Sequence, residues 1–298
     1  MWYNKSHSVE QFDLRKEILP LSVLEAIIQG FVGGAGEFLP ISGSGHLSVL
    51  RDLFNMPGGE GHMLLDAMIH IGAVLALLFM YWSDVKLMLG ETSDLLHGRA
   101  ADKRSAGKRS GSGVRLLLLI LTATLPLALA LPVESYVLLL TKEAAFVGFA
   151  IVLTGCILAV YPKFTAQGKN GDNLLFKDAL IIGLCQLVSV LPGISRVAAV
   201  MTASASVGSE RSFSVKFAML SGIPVLLGAA IYEIVIAASA GIDPACIPAY
   251  ILGMVFSMIA GAFSISTMKL LSKKSGFGGI AYYCLIVGVH TVILSMIF

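Results

Sequence analysis

Glu37-Phe38-Leu39-Pro40-Ile41-Ser42-Gly43-Ser44-Gly45-His46 is a polar, glycine-containing break inside a chain that is otherwise mostly apolar. A second break, Leu191-Pro192-Gly193-Ile194-Ser195-Arg196, follows about half a chain later. A carboxylate, an imidazole, a guanidinium and several hydroxyls are costly to hide in a bilayer. Pro and Gly interrupt any helix at the same places. Irregular backbone at membrane depth is tolerated only where it is buried in protein or lines a cavity. Two such breaks, in corresponding positions of two halves, predict one polar site near the middle of a membrane.

Composition carries the membrane assignment. The 298 residues are 56% hydrophobic and only 13% charged, against roughly 25% charged in soluble domains. The mean hydropathy is +0.83. The net charge of +2 gives no reason to expect nucleic acid, because the basic residues sit in loops. Stretches 64–82, 114–133, 144–162, 216–238, 246–268 and 279–298 are apolar and long enough to span, since a core of ~30 Å needs about 20 residues. Two further apolar regions, 18–50 and 178–210, run into a break and out again, which reads as two re-entrant helical hairpins. The expected fold is an all-α integral membrane protein of six transmembrane helices plus these hairpins. Cys156, Cys185, Cys246 and Cys284 lie in apolar stretches without CxxC spacing; they read as buried small hydrophobes rather than a metal site or disulfides. Residues 1–16 lack the order of a cleavable signal peptide.

The two halves match in order. Leu39-Pro40-Ile41-Ser42 corresponds to Leu191-Pro192-Gly193-Ile194-Ser195, and Ala67-Met68-Ile69-His70-Ile71-Gly72 to Ala218-Met219-Leu220-Ser221-Gly222. Residues 1–160 and 161–298 would each hold one hairpin and three spans. An odd number of spans inverts the second half, so hairpin 1 enters from outside and hairpin 2 from the cytoplasm. Loop charges fix the orientation: 83–113, 163–177 and 269–278 carry Lys and Arg, whereas 239–245 carries none. The basic loops belong in the cytoplasm, and both termini outside.

Within the breaks, Arg196 must face protein or water, and its planar fork suits phosphate oxygens. An ion pair with Glu37 is the alternative, and the two roles are compatible. Ser42, Ser44 and Ser195 can cap helix N-termini or contact phosphate; the same N-termini form an anion site. Gly43, Gly45 and Gly193 allow backbone to approach a ligand. His46 can act as nucleophile or general acid/base. Glu37 can ligate a hard cation, orient His46 or act as a base. His70 is a candidate for the pocket wall. Glu233, Glu134 and Asp84 lie at span ends, where solvated carboxylates are expected, and Gln186 is expected to bond its own tip.

Glu25-Ala26-Ile27-Ile28-Gln29-Gly30, the Glu37–Ser42 stretch, Gly45-His46 and the Pro192–Arg196 stretch together resemble the undecaprenyl-diphosphate phosphatase family, also called the bacitracin-resistance phosphatases. Segments 66–84 and 213–229 follow that family's pattern too. The resemblance implies an inverted-repeat membrane enzyme that removes the terminal phosphate of a polyprenyl diphosphate, yielding the monophosphate carrier of cell-wall synthesis. It implies a divalent cation, Mg²⁺ or Ca²⁺, held partly by Glu37, and a pocket open to the extracytoplasmic side of a bacterial inner membrane. By matching positions, Glu37, His46, Ser195 and Arg196 are its catalytic candidates. Ser42, Gly43, Ser44, Gly193, Ser195 and Arg196 are its phosphate-binding candidates. The chain departs from the pattern at Gly33, where the family has a second acid, and at Gly43, Val197 and Val200, where it has hydroxyls. A lipid-phosphate transporter or a non-catalytic binder is the rival expectation, and a second copy of the chain is a candidate partner.

The loop charges give a direct test of orientation. Cysteine labels placed at positions 105 and 273 should react only from the cytoplasm, and one at 241 only from outside. Labelling of position 105 from outside would reverse the assignment.

Overall fold

A computed structural model describes residues 21–58, 62–98, 111–164, 168–273 and 276–297. The expectations for the N-terminal segment, for the basic run 99–109 and for Lys274 lie outside these residues. The first hairpin is α1 (Val23–Phe38) and α2 (Gly43–Phe54); the second is α8 (Phe176–Leu187) and α9 (Arg196–Ser206). Helix α1 starts at a capping box, with Glu25 N–H donating to Ser22 Oγ at 3.2 Å and Ser22 N–H to Glu25 at 2.8 Å. It ends at Leu39, which is extended (ψ 141°) because Pro40 disfavours helical backbone before it. Helix α2 restarts from Ser42, whose φ of 74° is unusual for a residue with a side chain. Helix α9 starts from Ser195, whose hydroxyl accepts from Ala198 N–H at 3.3 Å.

Around the hairpins run α3 (Met63–Met80), α4 (Trp82–Leu96), α5 (Ser112–Thr124), α6 (Glu134–Leu140), α7 (Ala144–Val160), α10 (Arg211–Leu220), α11 (Gly222–Ala240), α12 (Ile247–Lys273) and α13 (Gly278–Ile297). Six helical segments among the described residues are long and apolar enough to cross a membrane: Met63–Met80, Ser112–Ala130, Ala144–Lys163, Arg211–Ala240, Pro244–Lys273 and Gly278–Ile297. Each overlaps one expected span. The segment after Thr124 tightens into a 3₁₀ turn over Leu125–Val133, where Pro126 and Pro132 donate no N–H. The expected span 216–238 begins earlier and consists of α10 and α11, which meet at Ser221. Pro224 removes the N–H that would bond the Leu220 carbonyl across that joint. The expected loop 83–113 opens instead with helix α4. At 15 residues it is too short and too charged to register as a span.

Close backbone contacts set the packing. Gly30 and Gly34 of α1 lie directly on the backbone of Gly253 and Ser257 of α12, a pairing of small residues four apart that lets two helices meet without side chains between them. Ser257 then donates its hydroxyl to the Ile69 carbonyl of α3 at 2.7 Å. Helices α7 and α13 meet in the same way, so that a methyl group on Gly288 would lie 2.6 Å from the Gly148 carbonyl. Phe38, Leu77, Ile151, Met201 and Phe217 fill the core between these seams. Of the four cysteines, Cys246 and Cys284 are buried while Cys156 and Cys185 are exposed, and all are free thiols. The expectation of burial therefore holds for two; the other two sit on the outer faces of α7 and α8.

The two breaks touch. A methyl group on Gly45 would lie 2.8 Å from Gly193 Cα. Helix α7 anchors the second tip: Thr154 donates its hydroxyl to the Gly193 carbonyl at 2.8 Å and accepts from Ser195 N–H at 2.9 Å. Gly193 has φ +98° and rests on α7, where a methyl would fall 2.6 Å from the Val147 carbonyl. Thr154→Val strips both buried backbone groups of their partner, which costs about 1–3 kcal/mol. It should lower the melting temperature of the purified protein, while Thr154→Ser should restore most of the loss. An unchanged melting temperature in the valine variant would show that Thr154 does not hold the tip.

Candidate functional site at the hairpin tips

Arg196 is the first residue of α9, directly after the second break. Its Nη1 donates to the Ala218 carbonyl at 2.8 Å and its Nη2 to the Glu37 carbonyl at 3.4 Å. Those carbonyls belong to the last turns of α10 and α1, which are negative dipole ends; the Ala218 carbonyl also accepts from Ser221 Oγ at 3.2 Å. Room for the guanidinium comes from Gly222, where a methyl would lie 2.7 Å from Nη2. Arg196 Nε is buried and has no partner among the described residues, a free donor for a ligand oxygen. The expected ion pair between Arg196 and the Glu37 carboxylate is replaced by this contact with the Glu37 main chain.

The first tip carries the hydroxyls and the imidazole. Ser42 is buried and accepts from Gly45 N–H at 3.3 Å, with Ser44 Oγ 3.5 Å away. Ser195 is buried at the opposite N-terminus. Both serines serve as caps, and the N-termini of α2 and α9 converge where Gly45 meets Gly193. His46 Nδ1 lies 2.8 Å from the Ser42 carbonyl, and its Nε2 lies 3.0 Å from the hydroxyl of Tyr283. Gly43 faces Glu37: a methyl there would be 3.0 Å from the Gly36 carbonyl carbon and 3.2 Å from Glu37 Oε1. A serine at this position would be tight against that carboxylate.

The Glu37 carboxylate faces a histidine. Its Oε1 is 3.7 Å from His70 Nε2, and His70 Nδ1 is 2.8 Å from Glu233 Oε2. One imidazole of α3 is thus clamped between a glutamate of the first hairpin and a glutamate of α11. Their side chains are only 14–19% exposed. Glu233 is therefore no solvated carboxylate at a span end. Its signal in the sequence was its place near mid-helix in α11, an acid where a span should be apolar. Gly33 sits one turn before Glu37, and a methyl there would press within 2.7 Å of Ile69 Cγ2 and 3.1 Å of Leu47 Cδ1. The space for a second acid on α1 is closed by the residue that precedes His70.

Other expectations need correction. Asp84 binds Lys216 of α10 at 2.6 Å rather than water. The side chain of Gln186 is buried without a hydrogen-bond partner among the described residues; its own tip uses only its carbonyl, which accepts from Ser189 Oγ at 2.6 Å. The Glu134 side chain lies outside the described residues. Thr154 and Tyr283 are the residues of this region that the sequence reading passed over, and Glu233 is the one it assigned to solvent.

Fold and site together define a multi-pass, all-helical membrane protein whose polar groups gather where two broken helices touch. The chain belongs to the family described as bacitracin resistance protein BacA, whose family model matches residues 26–290. It is similar to a protein of Halothermothrix orenii named undecaprenyl-diphosphatase, 29% identical over 278 residues that cover 93% of this chain and 100% of that one. A protein of the same name from Methanosphaera stadtmanae is 30% identical, over 93% of this chain and 99% of its own. Another from Bacteroides fragilis is 28% identical, over 92% and 98%.

The clamp on His70 predicts energetic coupling. In a cycle of His70→Gln, Glu233→Gln and the double variant, thermal denaturation should give a coupling of about 1–3 kcal/mol between the two sites. Additive effects would mean that the 2.8 Å contact contributes nothing.

Proposed function

We propose that the protein is a polyprenyl-diphosphate phosphatase. The single observation that carries the reading is the meeting of two helix N-termini, those of α2 and α9, at tips that also bear His46 and Arg196. Free N–H groups, positive dipole ends and a guanidinium with a spare donor suit a phosphate; the imidazole adds a group able to move a proton. The names of the relatives support undecaprenyl diphosphate as substrate, with its chain among the exposed apolar helix faces. Those faces, such as Phe263 of α12 and Ile286 of α13, suit lipid or a second copy of the chain.

In this reading, water attacks the terminal phosphorus while His46 Nε2 takes its proton. The bond from that phosphorus to the bridging oxygen breaks, and the electron pair stays on the lipid monophosphate. Arg196 and the N–H groups at the tips bind the phosphate oxygens and offset the charge on the leaving oxygen. The described residues contain no set of three His, Cys, Asp or Glu side chains able to hold a metal alone. Glu37 can still contribute one carboxylate beside substrate oxygens and water, the usual manner of binding Mg²⁺. Such a cation would neutralise phosphate charge. The breaks would be re-entrant hairpins of two inverted repeats, in an inner membrane, with the site open to the extracytoplasmic side, as the loop charges indicate.

Purified protein should release phosphate from farnesyl or undecaprenyl diphosphate, faster with Mg²⁺ or Ca²⁺ than with a chelator. Arg196→Lys should lower the rate about 10- to 100-fold, since lysine keeps the charge but loses the fork. His46→Ala should abolish turnover and leave lipid binding largely intact. A folded wild-type protein that binds lipid diphosphate yet releases no phosphate under any of these conditions would leave binding or transport as its function.

A further inference from the structure

Helix α13 brings two consecutive side chains to the first tip. Cys284 is buried, with its thiol 3.8 Å from the Pro40 carbonyl. Tyr283 places its hydroxyl 3.0 Å from His46 Nε2, and the two rings lie nearly parallel, 13° apart with centroids separated by 5.7 Å. Neither contact belongs to a loose surface tyrosine. Helix α13 is locked on α7 through the seam at Gly148 and Gly288 and through Gly155, where a methyl would lie 2.9 Å from Leu285 Cγ and 3.0 Å from the Ala281 carbonyl. The same α7 anchors the other tip through Thr154. One helix pair therefore sets the position of both tips.

The hydrogen bonds also fix which nitrogen of His46 carries the proton. The Ser42 carbonyl can only accept, so Nδ1, 2.8 Å away, must be the donor. In a neutral imidazole Nε2 is then the bare nitrogen, and Tyr283 O–H donates to it. No carboxylate pairs with His46 among the described residues. We propose that Tyr283 is the positioning residue of His46. In the Nδ1–H tautomer that the Ser42 carbonyl sets, it fixes the direction of the Nε2 lone pair, ready to take a proton. This rests on the phosphatase reading for its kinetic consequence. The tautomer itself does not depend on that reading.

Tyr283 is 43% exposed, and its hydroxyl sits on Nε2. The proton-accepting nitrogen is occupied by the phenol until a reacting water replaces it. The phenol needs only to yield its hydrogen bond as the water supplies another, and no backbone movement is required.

Tyr283→Phe keeps the ring and removes the donor. In phosphate release from farnesyl diphosphate, kcat should fall about 10-fold, the effect of one lost hydrogen bond, with KM and melting temperature close to wild type. Solid-state ¹⁵N NMR of histidine-labelled protein in bilayers, with His46 assigned by its loss in His46→Gln, supplies a readout that a structural role would not move. In wild type Nδ1 should be protonated and Nε2 bare. In Tyr283→Phe the Nε2 resonance should shift while Nδ1 stays protonated. A wild-type kcat in the phenylalanine variant, an unshifted Nε2, or an Nε2–H tautomer in wild type would each overturn the proposal. A wild-type protein without phosphate release would overturn the phosphatase reading instead, and the ring resonances would then decide the tyrosine's role alone.

Discussion

A helix that stops in the middle of an apolar slab leaves backbone carbonyls or N–H groups with no water to satisfy them. The architecture of this protein follows from how it meets that demand at four helix ends. The C-terminal ends of α1 and α10 share one cation, Arg196, through the carbonyls of Glu37 and Ala218. The N-terminal ends of α2 and α9 are capped by Ser42 and Ser195. The second tip gains a further anchor in Thr154, whose single hydroxyl serves both a carbonyl and an N–H. Negative helix ends are thus occupied by a fixed guanidinium, while positive ends remain turned toward the tips. In the proposed reading an anion would meet these positive ends together with the spare Nε of Arg196.

The sequence made the breaks legible because Pro and Gly act locally: α1 stops one residue before Pro40 whatever surrounds it. The six apolar spans were equally visible, since length and composition decide them. What stayed hidden came from packing. Glu233 reads as an ordinary acid near a span end until α11 is laid against α3, 163 residues away in sequence, where it meets His70. Tyr283 lies 237 residues from His46, and a tyrosine in a membrane helix ordinarily means an interfacial anchor. Helix α4 was missed because its charged residues removed it from a search for spans, and no capping signal marked its start. Arg196 and Glu37 were rightly placed side by side, but the contact runs through the main chain of Glu37, which no side-chain inventory foresees.

The loss of an acid at position 33 looks different once His70 and Glu233 are seen together. An acid at this position would project from the face of α1 that packs on Ile69. The neighbouring His70 brings a ring whose two nitrogens face two carboxylates. The charge partner of Glu37 lies on α3, backed by an acid on α11. This arrangement ties the first hairpin to the second half of the chain through polar atoms as well as glycine seams.

The seam between α1 and α12 has a consequence for how the molecule is made. The surface on which Gly30 and Gly34 rest is supplied by Gly253 and Ser257, and the partners of Pro40 and His46 come from α13. The ribosome therefore delivers the hairpin first and its resting place last. While the intervening helices are made, the hairpin has α3 beside it but lacks its contacts with α12 and α13. The hairpin completes its contacts only when the C-terminal helices arrive, so that an element made before them settles with them.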